Sequence, residues 1–280
     1  MKRVTKALSM VLVAFALICA AMPAAFAAES SIKVISHRGN TGSNSPENTM
    51  YAFAQAAKLT GYIESDVRFT LDGVPVLCHD STINRTARMA DGSRIPLIKT
   101  ICTMRYNELL KYDFGAAYGV PGLQIPTFEQ WIRFCSENGI VPYIEMKESM
   151  TGSQISKLIS IVDKYGMGEN VVWISFSYYG SNLMKLAYLE PNAAMGVIAY
   201  AVDTAALSLC QVLKTSANSV FLDVNYTGLN AASVSRAGRA GLSVEAWTVD
   251  DAESIERVKA LGITGITTNY PDTVLISAAA

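Results

Sequence analysis

The sequence predicts an α/β fold: a (β/α)8 TIM barrel with a β-hairpin and an insertion after its second strand. Three observations carry that prediction. Short apolar runs alternate with amphipathic stretches through residues 33–268, the pattern of parallel strands joined by helices. Nine strand-like runs occur where a closed barrel takes eight, and one adjacent pair is joined by a turn too short for a parallel crossover. Charged and polar residues gather where the runs end, which is where such barrels carry their active sites.

The N-terminus stands apart. Lys2, Arg3 and Lys6 precede an apolar run from Ala7 to Met22, and Ala25-Phe26-Ala27 offers a small-x-small cleavage site. This is the pattern of a secretory signal peptide, residues 1–27, cleaved after Ala27. The run is short for a membrane span and ends in a cleavage pattern, so export to a periplasmic or extracellular location is expected, not anchoring. Cys19 has Ile18 before it where lipidation wants a small residue. Residues 28–280 then form one barrel domain.

The strands are expected at Lys33–Ser36, Tyr62–Arg68, Val74–Cys78, Val141–Met146, Val171–Phe176, Ala194–Tyr200, Val220–Val224, Val244–Val249 and Ile263–Thr268. The first helix is expected over Pro46–Leu59, with Ser45 as its cap and Pro46 in its first turn. Only Leu71-Asp72-Gly73 separates the second and third runs, so that pair must be an antiparallel hairpin. The third run is thus an excursion from the second, and eight strands remain for the barrel. Residues 81–125 read as an insertion with one short helix near Tyr106–Lys111 and no obvious apolar rim. The hairpin and insertion together occupy roughly 70–125. The stretch Thr127–Asn138 places Phe128, Trp131, Ile132 and Cys135 on one stripe and ends at Gly139, a helix with its stop signal.

Composition narrows the function. Half of the residues are hydrophobic and the net charge is −1, with no basic stripe, so nucleic acid is not an expected partner. Cys78, Cys102, Cys135 and Cys210 are scattered through a domain with its own core and are expected to be mostly free, buried thiols.

The chain has only two histidines, His37 and His79, each beside a charged residue at the end of an apolar run. Two imidazoles near neutral pKa suit shared acid and base duty. Side chains two apart on a strand share a face, so Glu64 pairs with Asp66, and Glu145 with Lys147. If those faces turn inward, Glu64, Asp66 and Glu145 converge, and three carboxylates in one place need shared protons or a cation. All-oxygen ligation suits a hard divalent ion, Ca²⁺ or Mg²⁺. The competing reading is salt bridging of Glu64 and Asp66 to Arg68, Arg85 or Lys147. Arg38 and Lys147 add two cations, and cations, metal and imidazoles in one mouth describe a site for a phosphate ester. Glu47 reads as a helix-stabilising acid in a first turn. Ser175, Phe176 and Asn225 are expected to line the pocket, and Asp80 to orient a histidine or cap its loop.

His37-Arg38-Gly39, Pro46-Glu47-Asn48-Thr49, Glu64-x-Asp66-Val67, Asp72-Gly73-x-Pro75-Val76, His79-Asp80 and Arg85-Thr86 resemble the glycerophosphodiester phosphodiesterase family. The likeness continues through Ile125-Pro126-Thr127, Ile144-Glu145-x-Lys147, Ala246-Trp247-Thr248-Val249 and Thr268-Asn269-Tyr270-Pro271. It implies a metal-dependent barrel enzyme that cleaves glycerophosphodiesters to glycerol 3-phosphate and an alcohol. It assigns Glu64, Asp66 and Glu145 to the metal and His37 and His79 to proton transfer. Arg38 and Lys147 would hold phosphate, and Trp247 would line the glycerol side. Ser65 departs from the family, which usually has an apolar residue there. Two rivals stand beside this expectation: a lipid phosphodiesterase cleaving lysophospholipid or sphingomyelin, and a non-catalytic exported binding protein on the same fold.

Overall fold

The computed structural model describes residues 32–214 and 218–278. The signal peptide read in residues 1–27 lies outside them. Nine strands are present: β1 (Lys33–Ser36), β2 (Tyr62–Phe69), β3 (Pro75–Leu77), β4 (Val141–Met146), β5 (Val172–Phe176), β6 (Ala194–Ala199), β7 (Ser219–Asn225), β8 (Val244–Trp247) and β9 (Gly265–Thr268). Eight are parallel and close into a barrel, because β1 pairs with both β9 and β2. β3 is antiparallel to β2, with Val67 opposite Leu77 and Phe69 opposite Pro75. The hairpin and the (β/α)8 barrel are as the sequence predicts.

Nine helices are described: α1 (Met50–Ala56), α2 (Tyr106–Leu109), α3 (Phe128–Asn138), α4 (Gly152–Lys164), α5 (Gly180–Leu189), α6 (Thr204–Leu213), α7 (Ala231–Arg239), α8 (Ala252–Lys259) and α9 (Pro271–Ala278). The first departs from expectation. It begins at Met50, capped by the Thr49 hydroxyl accepting from the Ala52 amide, and not at Pro46 behind Ser45. Asn48 sits at φ 57°, a left-handed conformation that no helix interior tolerates. Glu47 therefore precedes the helix, and its reading as a first-turn acid is corrected. α3 follows the predicted stripe, with Phe128, Trp131, Ile132 and Cys135 buried and Gly139 closing it at φ 66°.

Alternation along the strands divides the core in two. Ile63, Val67, Ile144, Met146, Leu222, Val224 and Ala246 face outward onto the helices in the main core. Ile35, Tyr143, Ile174, Phe176, Ile198 and Phe221 fill the barrel interior. Gly196 is required there: a Cβ would lie 2.5 Å from the Phe221 ring and 2.8 Å from Ile174. The insertion builds its own cluster around Ile83, Ile101, Leu109, Phe114 and Ile125. It leaves Leu97 and Ile98 exposed, at 69% and 78%. The four cysteines among the described residues are free. Cys78, Cys135 and Cys210 are buried, in line with the expectation of mostly buried thiols, while Cys102 is exposed. No helix among the described residues is long and apolar enough to cross a membrane.

Candidate active site

The C-terminal ends of the strands surround a cavity of about 80 Å³ lined by His37, Arg38, Glu64, His79, Glu145, Lys147, Phe176 and Trp247, among others. Each arrives by a simple rule. Glu64 and Asp66 lie on the inward face of β2, and parallel register sets Asp66 beside Glu145 on β4. β1 ends at Ser36, so His37 and Arg38 turn over the mouth. β3 folds back along β2, and the Cys78 amide donates to the Asp66 carbonyl at 2.9 Å, which brings His79 to the same rim.

Glu64, Asp66 and Glu145 are all buried, and each offers one oxygen within 4.8 Å of the others. Oε1 of Glu64 has no hydrogen-bond partner. Asp66 Oδ1 and Glu145 Oε1 meet Lys147 Nζ at 3.5 and 2.8 Å without hydrogen-bond geometry. Burial and the neighbouring acids Asp66 and Glu145 push Glu64 well above the usual carboxylate range. Burial likewise drives Glu145 up to about 7, against the pull of Lys147. For Asp66, burial is outweighed by Arg38 and Lys147, and its carboxyl falls below the usual value. Three buried carboxylate oxygens that accept no hydrogen bond are the hard donors a divalent cation such as Ca²⁺ or Mg²⁺ takes, so the residues present fit that ion. The competing salt bridges form only in part. Lys147 reaches Asp66, but Arg68 turns to Glu148 and the His79 carbonyl, and Arg85 to Glu47 and Asp80.

The histidines are held differently. His37 Nδ1 lies 2.8 Å from Asn269 Oδ1. Asn269 spends its Nδ2 on Asp250 at 2.7 Å, so its oxygen is what faces the ring. Nδ1 must then carry the proton, and Nε2 is left as an acceptor. Burial, with Arg38 beside it, holds His37 down at about 4. His79 Nδ1 instead donates to the Asp80 carboxylate at 2.7 Å, and Arg85 grips that carboxylate from the far side, also at 2.7 Å. Asp80 thus orients a histidine.

Arg38 sits at φ 56°, giving its amide to Glu64 at 2.8 Å and its guanidinium to Glu47 at 3.1 Å. Gly39 follows at φ 72°, and a Cβ there would lie 2.5 Å from the Phe53 ring. Burial pushes Glu47 up, but Arg85 and Arg38 more than offset it and leave the carboxyl below its usual value. Among the described residues, the two non-glycine residues with positive φ, Arg38 and Asn48, both touch the acidic cluster, and strain concentrated at one place marks a functional site.

Phe176 lines the pocket as expected, whereas Ser175 faces outward to the Met146 carbonyl and Asn225 caps the turn at Thr227. The sequence reading assigned no role to Asn48, Asn269 and Asp250, although the first two lie in quoted motifs. It also passed over Asp223, whose signal was one acid in an otherwise apolar strand.

Fold and mouth together define a barrel hydrolase for an anionic ester. The profile of the Glycerophosphoryl diester phosphodiesterase family matches residues 37–273, and the chain belongs to that family. It is 29% identical over 248 residues to a glycerophosphodiester phosphodiesterase of Caldanaerobacter subterraneus subsp. tengcongensis, covering 86% of this chain and 96% of that one. A Bacillus subtilis glycerophosphodiester phosphodiesterase is 28% identical, with 86% and 84% covered. Among solved structures, an Oleispira antarctica phosphodiesterase in complex with its product sn-glycerol-3-phosphate superposes with TM-score 0.77 at 23% identity, covering 89% and 97% of the two chains.

Proposed function

We propose that this chain is exported and hydrolyses glycerophosphodiesters to glycerol 3-phosphate and an alcohol, using one divalent cation and two histidines. The observation that carries the reading is the convergence of three buried carboxylates, each with one oxygen that accepts no hydrogen bond, with two imidazoles held through Nδ1 so that Nε2 is free. Glu64, Asp66 and Glu145 would hold Ca²⁺ or Mg²⁺, which supplies charge neutralisation at the phosphoryl oxygens.

The chain's own residues do the rest. Arg38 and Lys147, whose charge Asp66 and its neighbours secure, bind the phosphate. His37 presents an unprotonated Nε2 and takes the proton of the nucleophile, either water or the substrate's own glycerol hydroxyl. In the second case a cyclic phosphate forms as the alcohol leaves, and water then opens the ring to glycerol 3-phosphate, with the histidines exchanging roles. The new P–O bond forms as the P–O bond to the alcohol breaks. His79, with Asp80 behind it to stabilise a positive ring, gives its proton to the departing oxygen. Trp247 and Phe176 wall the glycerol side.

The test is release of choline from glycerophosphocholine, with and without chelator, beside lysophosphatidylcholine and sphingomyelin. We expect turnover of the first that chelator abolishes. Preferential turnover of either lipid would favour a lipid phosphodiesterase, and binding without turnover a non-catalytic protein. N-terminal sequencing of the exported chain should begin at Ala28.

A further inference from the structure

One carboxyl in the cavity has no task in that chemistry. On β7, Leu222 and Val224 pack into the outer core and Phe221 into the barrel interior, so alternation turns Asp223 inward. It lines the active-site cavity and is 3% exposed. Register sets Asp223 beside Glu245 and Asn225 beside Trp247, so Asp223 lies one pleat repeat below the tryptophan. Its Oδ1 is buried without a hydrogen-bond partner, and the charged groups that act on it are two more acids, Glu245 and Glu145. The cation in the lower barrel, Lys33, is already taken by Glu245 at 2.7 Å. Buried polar atoms are rarely left without a partner, and none of the described residues supplies this one.

The surroundings say what would. Ile174, Ile198, Phe176 and Trp247 give the cavity apolar walls there. The Trp247 indole spends its N–H on the Asp223 carbonyl at 3.1 Å, so it offers the cavity a ring face and no donor. A small aliphatic group bearing hydroxyls fits such a place, its C–H surface against the rings and a hydroxyl on the carboxyl. We infer that Asp223 binds a free hydroxyl of the glycerol arm and selects diesters in which that hydroxyl is unacylated. This rests on the function proposed above.

The test compares the unmutated chain with Asp223→Ala and Asp223→Asn, measuring kcat and KM with added metal. The substrates are glycerophosphocholine and bis(p-nitrophenyl) phosphate, which has no aliphatic hydroxyl. A site that hydrogen-bonds a hydroxyl discriminates strongly against its absence. The Ala variant should therefore lose about 10²-fold in kcat/KM on the glycerol diester and at least tenfold less on the aryl diester. The Asn variant, which keeps hydrogen-bonding atoms in place, should recover most of the difference. Equal losses on both substrates, or none on the glycerol diester, would overturn the inference. Should the Ala variant not fold, the unmutated chain still decides. A diester with the terminal glycerol hydroxyl replaced by hydrogen, which leaves intact the adjacent hydroxyl able to close a five-membered ring on phosphorus, should be about 10²-fold slower, and an equal rate would overturn the assignment. Failure of the unmutated chain to cleave glycerophosphocholine at all would instead sink the proposed function, and the inference with it.

Discussion

What holds a histidine's Nδ1 decides what its Nε2 can do. An amide oxygen behind His37 fixes the tautomer but adds no charge, and burial keeps that ring neutral. A carboxylate behind His79 compensates a positive ring. His37→Ala and His79→Ala should each lower kcat by about 10²–10⁴-fold on a natural diester, the scale of general acid–base groups. The double variant should be little worse than the poorer single one, because groups acting as a unit do not add. A diester with a p-nitrophenol leaving group scarcely needs protonation. It should restore activity to His79→Ala and not to His37→Ala; rescue of His37→Ala instead would reverse the roles, and no loss in either would make both histidines structural. Both rings were legible from rarity and charged neighbours. The asymmetry between them was not, because Asn269 lies 232 positions from His37 and only barrel closure brings it there.

At the scale of elements, the hairpin was legible because a three-residue turn leaves no other geometry, and the inward acids because strand period is fixed. The start of α1 was not. Ser45-Pro46 is a sound local cap, but tertiary bonds overrule it. Asn48 Nδ2 donates to Asp66 Oδ2 at 2.8 Å, while its Oδ1 accepts from the Ser65 hydroxyl at 2.6 Å. Those bonds hold Asn48 left-handed and delay the helix by a turn. Ser65, polar where an apolar residue was usual, therefore anchors the residue that holds Asp66. Asn48→Ala should cost about 2 kcal/mol, the value of a hydrogen bond to a charged group, and so lower Tm by about 4–8 °C. It should also weaken metal binding about 10–100-fold, as losses behind a ligand do, measured by calorimetric titration with Ca²⁺. An unchanged metal affinity would mean that Asp66 needs no such support. In β6, Gly196→Ala should cost about 1–3 kcal/mol by overpacking against Phe221, seen as a lower denaturation midpoint with unchanged cooperativity.

Across the whole molecule, the barrel gathers buried acids whose protonation is linked to stability. Glu145 is raised to about 7 from 4.5, so without metal the folded state binds more protons than the unfolded one over that interval. Its contribution is present at low pH and lost as pH rises through 7, and the elevated Glu64 acts in the same direction. His37 runs the other way. Held at about 4 against 6.5, it contributes fully above pH 6.5, and that part is lost as pH falls towards 4. A cation changes only the acidic side of this balance, because it must displace protons from Glu64 and Glu145 to bind. The rise in Tm on adding millimolar Ca²⁺ or Mg²⁺ should therefore be larger at pH 8 than at pH 5. A concentration near a hundred times Kd adds about 2.7 kcal/mol, or about 5–10 °C for a domain of this size, with less than half of that at pH 5. Glu64→Gln should remove most of the increment at pH 8 while leaving the metal-free chain folded. If the increment is the same at both pH values, or survives in Glu64→Gln, the ion is bound elsewhere and the three acids are held together by Lys147 and Arg38 alone.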